Sequence, residues 1–238
     1  MKSCVRLFAS ALLLLCVAAP SHAQRSLPVA RALQLPVQRG TSTRTAPSCA
    51  LGVTDPAVYV VSYVIPPDDQ YFTLLDAGDT DCSGSGGVQL TEAHLAVEFS
   101  YGYETPVRVS VVRADLSDPE CPKPIPGSYL CPPTDYMLSA PSGGAWDLAL
   151  PLPATCSLAG KAFLEITFTE WGFSYETPAL LLTGGCEPCT SFNYYPGNHY
   201  DLCSYGFEGN PIMYAVGLPE SVVPVRAGTW GRLKLGYR

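Results

Sequence analysis

Basic side chains are almost missing from the middle of this 238-residue chain. Between residues 46 and 225 lie all 21 acidic residues but only Arg108, Arg113, Lys123 and Lys161 as permanent cations. A body of that sign repels phosphate backbones, which excludes nucleic acid as a partner of the domain itself. The remaining cations sit at the ends, with Arg25, Arg31, Arg39 and Arg44 before the acidic stretch and Arg226, Arg232, Lys234 and Arg238 after it.

Long apolar runs are also missing. The longest, Phe8 to Ala19 with Leu12 to Leu15 at its centre, falls short of the roughly 18 residues a spanning helix needs, so no transmembrane span is expected. Lys2 and Arg6 precede that run, and Ser21-His22-Ala23 follows it as a small-x-small cleavage site. This is the layout of a secretory signal peptide over residues 1–23, cut after Ala23, and it takes Cys4 and Cys16 with it.

Catalytic signatures are scarce. There is no G-x-S-x-G and no H-E-x-x-H, and beyond the signal only His94 and His199 remain. His94 is expected on the outward face of a strand as a solvated imidazole, and His199 in a loop. Glu165 and Glu170, five apart, should point to opposite faces and so do not form a glycosidase pair. The chain therefore reads as a non-enzyme, with a secreted glycoside-active hydrolase built from loop carboxylates as the alternative. Capped helical stripes are absent too, apart from a short candidate helix at Thr229 in the basic tail, residues 219–238.

What the chain does have is cysteine. Cys49, Cys82, Cys121, Cys131, Cys156, Cys186, Cys189 and Cys203 are an even set in an exported protein, which argues for disulfides formed in an extracellular or periplasmic compartment. Their pairing is open except for one expectation. Pro122, Pro124, Pro126 and Gly127 suggest a stiff surface loop closed by Cys121 and Cys131. Cys186-Glu-Pro-Cys189 could serve redox chemistry or, with His199 and Cys203, hold zinc. Export and the lack of a βαβ setting favour plain disulfides.

It also has short runs of Val, Ile, Phe and Tyr between Gly, Pro, Asp and Ser clusters. Leu95, Val97 and Phe99 alternate with polar neighbours, as do Val107, Val109 and Val111, then Trp146, Leu148, Leu150 and Leu152, then Leu164, Ile166 and Phe168. Residues 58–65, 178–183 and 212–217 supply further strands. The expected fold is all-β: a two-sheet antiparallel β-sandwich, jelly-roll-like and stapled by disulfides, over residues 49–218. Residues 24–48 read as a flexible basic linker, so that disordered arms flank the domain.

Two groups suggest binding. Asp76, Asp79 and Asp81 place hard oxygens in a Gly-containing loop suited to Ca²⁺, though not at EF-hand spacing. Tyr194, Tyr195, Asn198, His199, Tyr200 and Asp201 combine rings with hydrogen-bonding groups, as a glycan platform does. Tyrosines capping the end of a core would look the same. The expected partner is a glycan or another cell-surface component.

The stretches VSVVRADLSDPEC (109–121), LALPLPATCSLAGKAF (148–163), CEPCTSFNYYPGNHYDLCSYGFEGN (186–210) and TWGRLKLGYR (229–238) resemble a group of uncharacterised exported bacterial proteins with a cysteine-rich β-sandwich domain. The resemblance implies export and fold but brings no activity and no site residue with it. The strand pattern is also distantly similar, in architecture alone, to carbohydrate-binding and adhesion modules.

Overall fold

The computed structural model describes residues 28, 30–34, 49–54, 60–64, 68–78, 86–169, 178–195 and 197–220. The signal segment, Cys82, Asp79, Asp81, Glu170 and the tail beyond residue 220 lie outside these. Among the described residues there is no helix, and the strands form two antiparallel sheets.

The eight-stranded sheet contains β1 (Arg31–Gln34), β2 (Cys49–Gly52), β3 (Val60–Val64), β5 (Val88–Phe99), β8 (Gly144–Pro151), β9 (Ser157–Leu158), β11 (Ala179–Leu182) and β14 (Met213–Pro219). The six-stranded sheet runs in the order β13 (Asn198–Asp201), β12 (Ser191–Tyr195), β4 (Gln70–Asp76), β10 (Lys161–Phe168), β6 (Tyr103–Asp115) and β7 (Lys123–Ala140).

Alternation sends one side of each strand inward. Leu95, Val97 and Phe99 of β5 and Leu148 and Leu150 of β8 meet Val107, Val109 and Val111 of β6 and Leu164, Ile166 and Phe168 of β10 in one buried core. On β5 the inward set skips a step: Leu90 and Ala93 both enter the core. The pairing of β14 with β5 slips at Val216/Gly217, and this bulge restores the inward phase on either side of it.

β7 is the element the prolines conceal. It is an edge strand of its sheet and carries Pro124, Pro126, Pro132 and Pro133. Along its proline-bearing part this edge strand pairs with β6 alone, so a missing N–H on the other side costs no ladder bond. Its pairing with β6 shifts register three times, and Gly127, at φ 73°, lies in one of these excursions.

The expected Cys121–Cys131 loop is therefore wrong. The intervening residues are strand, Cys131 is buried in the core, and it bonds Cys156. Cys121 bonds Cys189 and Cys186 bonds Cys203, and Cys49 is also disulfide-bonded. Neither cysteine of the C-x-x-C motif bonds the other, in keeping with a structural role for both.

The N-terminal linker also needs correction. Within residues 24–48, Arg31–Gln34 pairs with β8 at the margin of the eight-stranded sheet, and just before it Ala30 and Pro28 exchange backbone hydrogen bonds with Met137 of β7. The segment thus bridges the edges of both sheets. A short chain with open backbone groups beside two unpaired edges lowers its free energy by filling them.

Candidate functional site

The six glycan-platform residues lie on the β12–β13 hairpin at the edge of the six-stranded sheet, so His199 belongs to a strand and not to a loop. Gly197, at φ 97°, supplies the left-handed turn, a conformation glycine adopts without strain.

Strand alternation divides the six. Tyr194 pairs with His199, and Phe192 with Asp201, on the outer face; Asn193 pairs with Tyr200 on the other, and Tyr195 pairs with Asn198 next to the turn. On the outer face the Tyr194 and His199 rings lie 5.1 Å apart, and His199 stands edge-on to Phe72 at 5.4 Å. On the opposite face Tyr200 packs edge-on against Tyr205, which is largely exposed.

Asp201 is occupied by the fold. Its Oδ1 accepts the Cys189 N–H at 3.3 Å and its Oδ2 the Ser204 hydroxyl at 2.7 Å, which tethers the Cys186–Cys203 turn to the Cys189 loop. Asn193 donates to Asp69 Oδ1 at 2.8 Å, and Tyr71 bonds the same carboxylate. Burial raises the Asp69 pKa and is also the main reason the Tyr71 phenol is pushed far up. That group is a buried hydrogen-bond network beside the hairpin.

His199 is different, because its Nε2 is buried and has no hydrogen-bond partner among the described residues. Burial lowers its pKa, and the positive charge of Lys123 adds to the effect, so the imidazole is neutral at pH 7.

Above the hairpin's neighbours sits a second, smaller core. Phe72, Val112, Phe163 and Phe192 project from the outer face of the six-stranded sheet yet are almost completely buried, with Cys121, Cys189, Leu74, Ala114 and Tyr194 packed around them. The Cys121–Cys189 bridge roofs this cluster.

At its border lies Glu165, which the sequence set aside as half of a non-convergent pair with Glu170. It faces outward between Phe72 and Ser110 and is only 8% exposed. Ser110 donates to its Oε2 at 2.5 Å. Burial raises the Glu165 pKa, while the bonds from Ser110 and Thr167 and the charge of Arg108 oppose the rise. A carboxyl whose folded pKa exceeds its unfolded one favours folding below the unfolded value, and that favour is lost as pH climbs through the folded value. Glu165→Gln should therefore raise the thermal midpoint at pH 7 and leave it unchanged below about pH 4. A lower midpoint at pH 7 would show that the ionised carboxylate is needed.

His94 also departs from expectation. It does face away from the main core, but it is buried, not solvated. Its Nδ1 lies 3.0 Å from Asp147 Oδ1, its ring stacks on Tyr214 at 4.5 Å and 9°, and the Tyr214 hydroxyl donates to Asp147 Oδ2 at 2.7 Å. The His94 Nε2 is 3.4 Å from a Glu92 carboxylate oxygen, within ion-pair range but without hydrogen-bond geometry. Alternation alone gave the correct face; the stacking ring and the carboxylate come from β14 and β8, which only the pairing brings in.

Of the calcium candidates, Asp76 is described and Asp79 and Asp81 are not. The Asp76 carboxylate accepts the Gly78 N–H at 2.8 Å and pairs with Lys161 at 3.6 Å. Among the described residues no group of three or more His, Cys, Asp or Glu side chains could hold a metal ion. No described helix is long and apolar enough to cross a membrane. The disulfides fit an oxidising compartment outside the cytoplasm.

Comparison with protein-family models, with curated proteins and with solved structures found no match to this chain.

Proposed function

We propose that this is an exported, non-catalytic β-sandwich whose role is binding, with a glycan as the ligand class. The observation that carries the reading is the Tyr194–His199 ring pair on the outer face of the edge hairpin. Rings stack on the apolar C–H face of a sugar, and neighbouring polar groups take its hydroxyls.

A glycan-array screen of the disulfide-intact mature chain tests this. Binding to at least one glycan is expected, weakened about tenfold in Tyr194→Ala by loss of one ring contact. An array without binders would remove the reading. Calcium support by Asp76, Asp79 and Asp81 is tested on the same preparation: a higher thermal midpoint in millimolar Ca²⁺ than in chelator supports it, and identical midpoints remove it.

A hydrolase is the second reading, favoured by one group. Glu165 is a shielded carboxyl held toward its protonated form, the state a general acid requires. Release of reducing sugar from a bound glycan, abolished in Glu165→Gln, would establish it.

A further inference from the structure

The two bridges that meet in Cys186-Glu-Pro-Cys189 differ from the others in their exposure. Cys49, Cys131 and Cys156 are buried, whereas Cys121, Cys186, Cys189 and Cys203 each keep part of their surface in solvent. Exposed chain flanks both bridges, residues 116–120 before Cys121 and Glu187 and Pro188 inside the motif. An external thiol can approach here while the core bridge stays shut.

The chain and two buried or half-buried side chains join these bridges into one system. Cys189 bonds Cys121 and Cys186 bonds Cys203, yet Cys186 and Cys189 are only three residues apart. Asp201 ties the Cys189 N–H to the Ser204 hydroxyl. Asn210, almost fully buried, accepts the Glu187 N–H at 2.6 Å and donates through Nδ2 to the Glu187 carbonyl at 3.1 Å and to Cys203 Sγ at 3.8 Å. Cys186, Cys189 and Cys203 are thus gathered in one small network.

Cys189 is also held under strain. Its φ of 62° lies in the left-handed region, which it shares among the described non-glycine residues with Asp68 alone, and aspartate tolerates that conformation better than cysteine does. The bridge to Cys121 and the bond to Asp201 restrain it. Opening the bridge removes one of the two.

We infer that the two bridges form an exchange relay, in which a dithiol that opens Cys121–Cys189 releases the thiol of Cys203. A thiolate of the dithiol attacks Cys121 Sγ, the bond to Cys189 Sγ breaks, and Cys189 leaves as a thiolate. That thiolate attacks Cys186 Sγ, forms a Cys186–Cys189 bond and expels Cys203, which takes a proton from water. The second thiol of the dithiol then displaces Cys121, which is protonated in turn, and the dithiol departs as a disulfide. Two electrons and two protons have passed to the protein. The middle step is intramolecular, so it outruns a second external encounter. Asn210 already supplies a donor to the departing Cys203 sulfur, and Lys123, two residues from Cys121 and near enough to act on His199, adds positive charge that favours thiolates. The partner class is a dithiol oxidoreductase, and its action lifts the clip over Phe72 and Phe163. Nothing in the relay depends on what the domain binds.

The test starts from the folded, oxidised mature chain and one equivalent of dithiothreitol. Thiols are trapped with N-ethylmaleimide, the chain is digested with pepsin in acid without further reduction, and the label is mapped by mass spectrometry. Label is expected on Cys121 and Cys203, with an unlabelled, internally bridged Cys186–Cys189 peptide and an intact Cys131–Cys156 bridge. In Cys186→Ser/Cys203→Ser, which removes the acceptor bridge, the label should fall on Cys121 and Cys189 instead. Label on Cys121 and Cys189 of the unaltered chain with Cys186–Cys203 intact, label first on Cys131 and Cys156, or no label at all would overturn the relay. Binding of an apolar dye that stays unchanged in the labelled chain would overturn its link to the cap.

Discussion

Replacing Cys121 and Cys189 together by serine should lower the stability of the oxidised protein by about 4 kcal/mol, read from urea unfolding. The two residues are 68 apart, and the bridge limits the unfolded chain over that span. Its local effect adds to this. Phe72 and Phe163 stand on a sheet face that would otherwise be in water, and the bridge is part of what covers them. Opening it should expose that cluster and raise the binding of an apolar dye to the folded protein. The Cys186–Cys203 bridge closes a loop of 17 residues, so its removal should cost less. A destabilisation of Cys121→Ser/Cys189→Ser smaller than that of Cys186→Ser/Cys203→Ser would mean that the cap holds without its clip.

Asp147→Ala should be nearly as damaging, by about 3 kcal/mol, for a different reason. One carboxylate serves two partners, the buried His94 imidazole and the hydroxyl of half-buried Tyr214, whose rings stack on each other. Deleting it removes the partner of the buried His94 Nδ1, and an unpaired buried polar group costs more than a formed hydrogen bond gains. The three side chains come from three adjacent strands, β8, β5 and β14, so the network also fixes their lateral order. His94→Ala and the double variant complete a mutant cycle. Strong coupling, with the double variant less destabilised than the two single changes predict, is expected; simple additivity would show that His94 and Asp147 do not act as a unit.

Much of the fold was legible because a strand buried on one face writes its period into the sequence. Val107, Val109 and Val111, or Leu164, Ile166 and Phe168, could be placed against the core without any partner being known. β7 was hidden because its prolines are tolerated only by virtue of its position at an edge, and position is a property of the sheet. Phe163 and Phe72 were hidden in another way. Both point outward, and their burial depends on a bridge between Cys121 and Cys189 that no spacing rule selects from the possible pairings.

The candidate site was legible in its composition and illegible in its layout. The run from Tyr194 to Asp201 was singled out for its rings and hydrogen-bonding groups. Reading it as one loop merged side chains that a hairpin sends to opposite faces, and it missed that Asp201 is engaged by Cys189 and Ser204. Glu165 was dismissed for lack of a second carboxylate, although what sets it apart is its burial beside Phe72 and its bond from Ser110.

The bridges connect these points, because the clip that stabilises the sandwich also covers the apolar cluster on its outer face. Mass-spectrometric mapping of the exported protein, digested without reduction, tests that directly. Peptides joined through Cys121 and Cys189, Cys131 and Cys156, and Cys186 and Cys203 are expected. A peptide closed between Cys121 and Cys131, or free thiols at Cys121 and Cys189, would contradict the account.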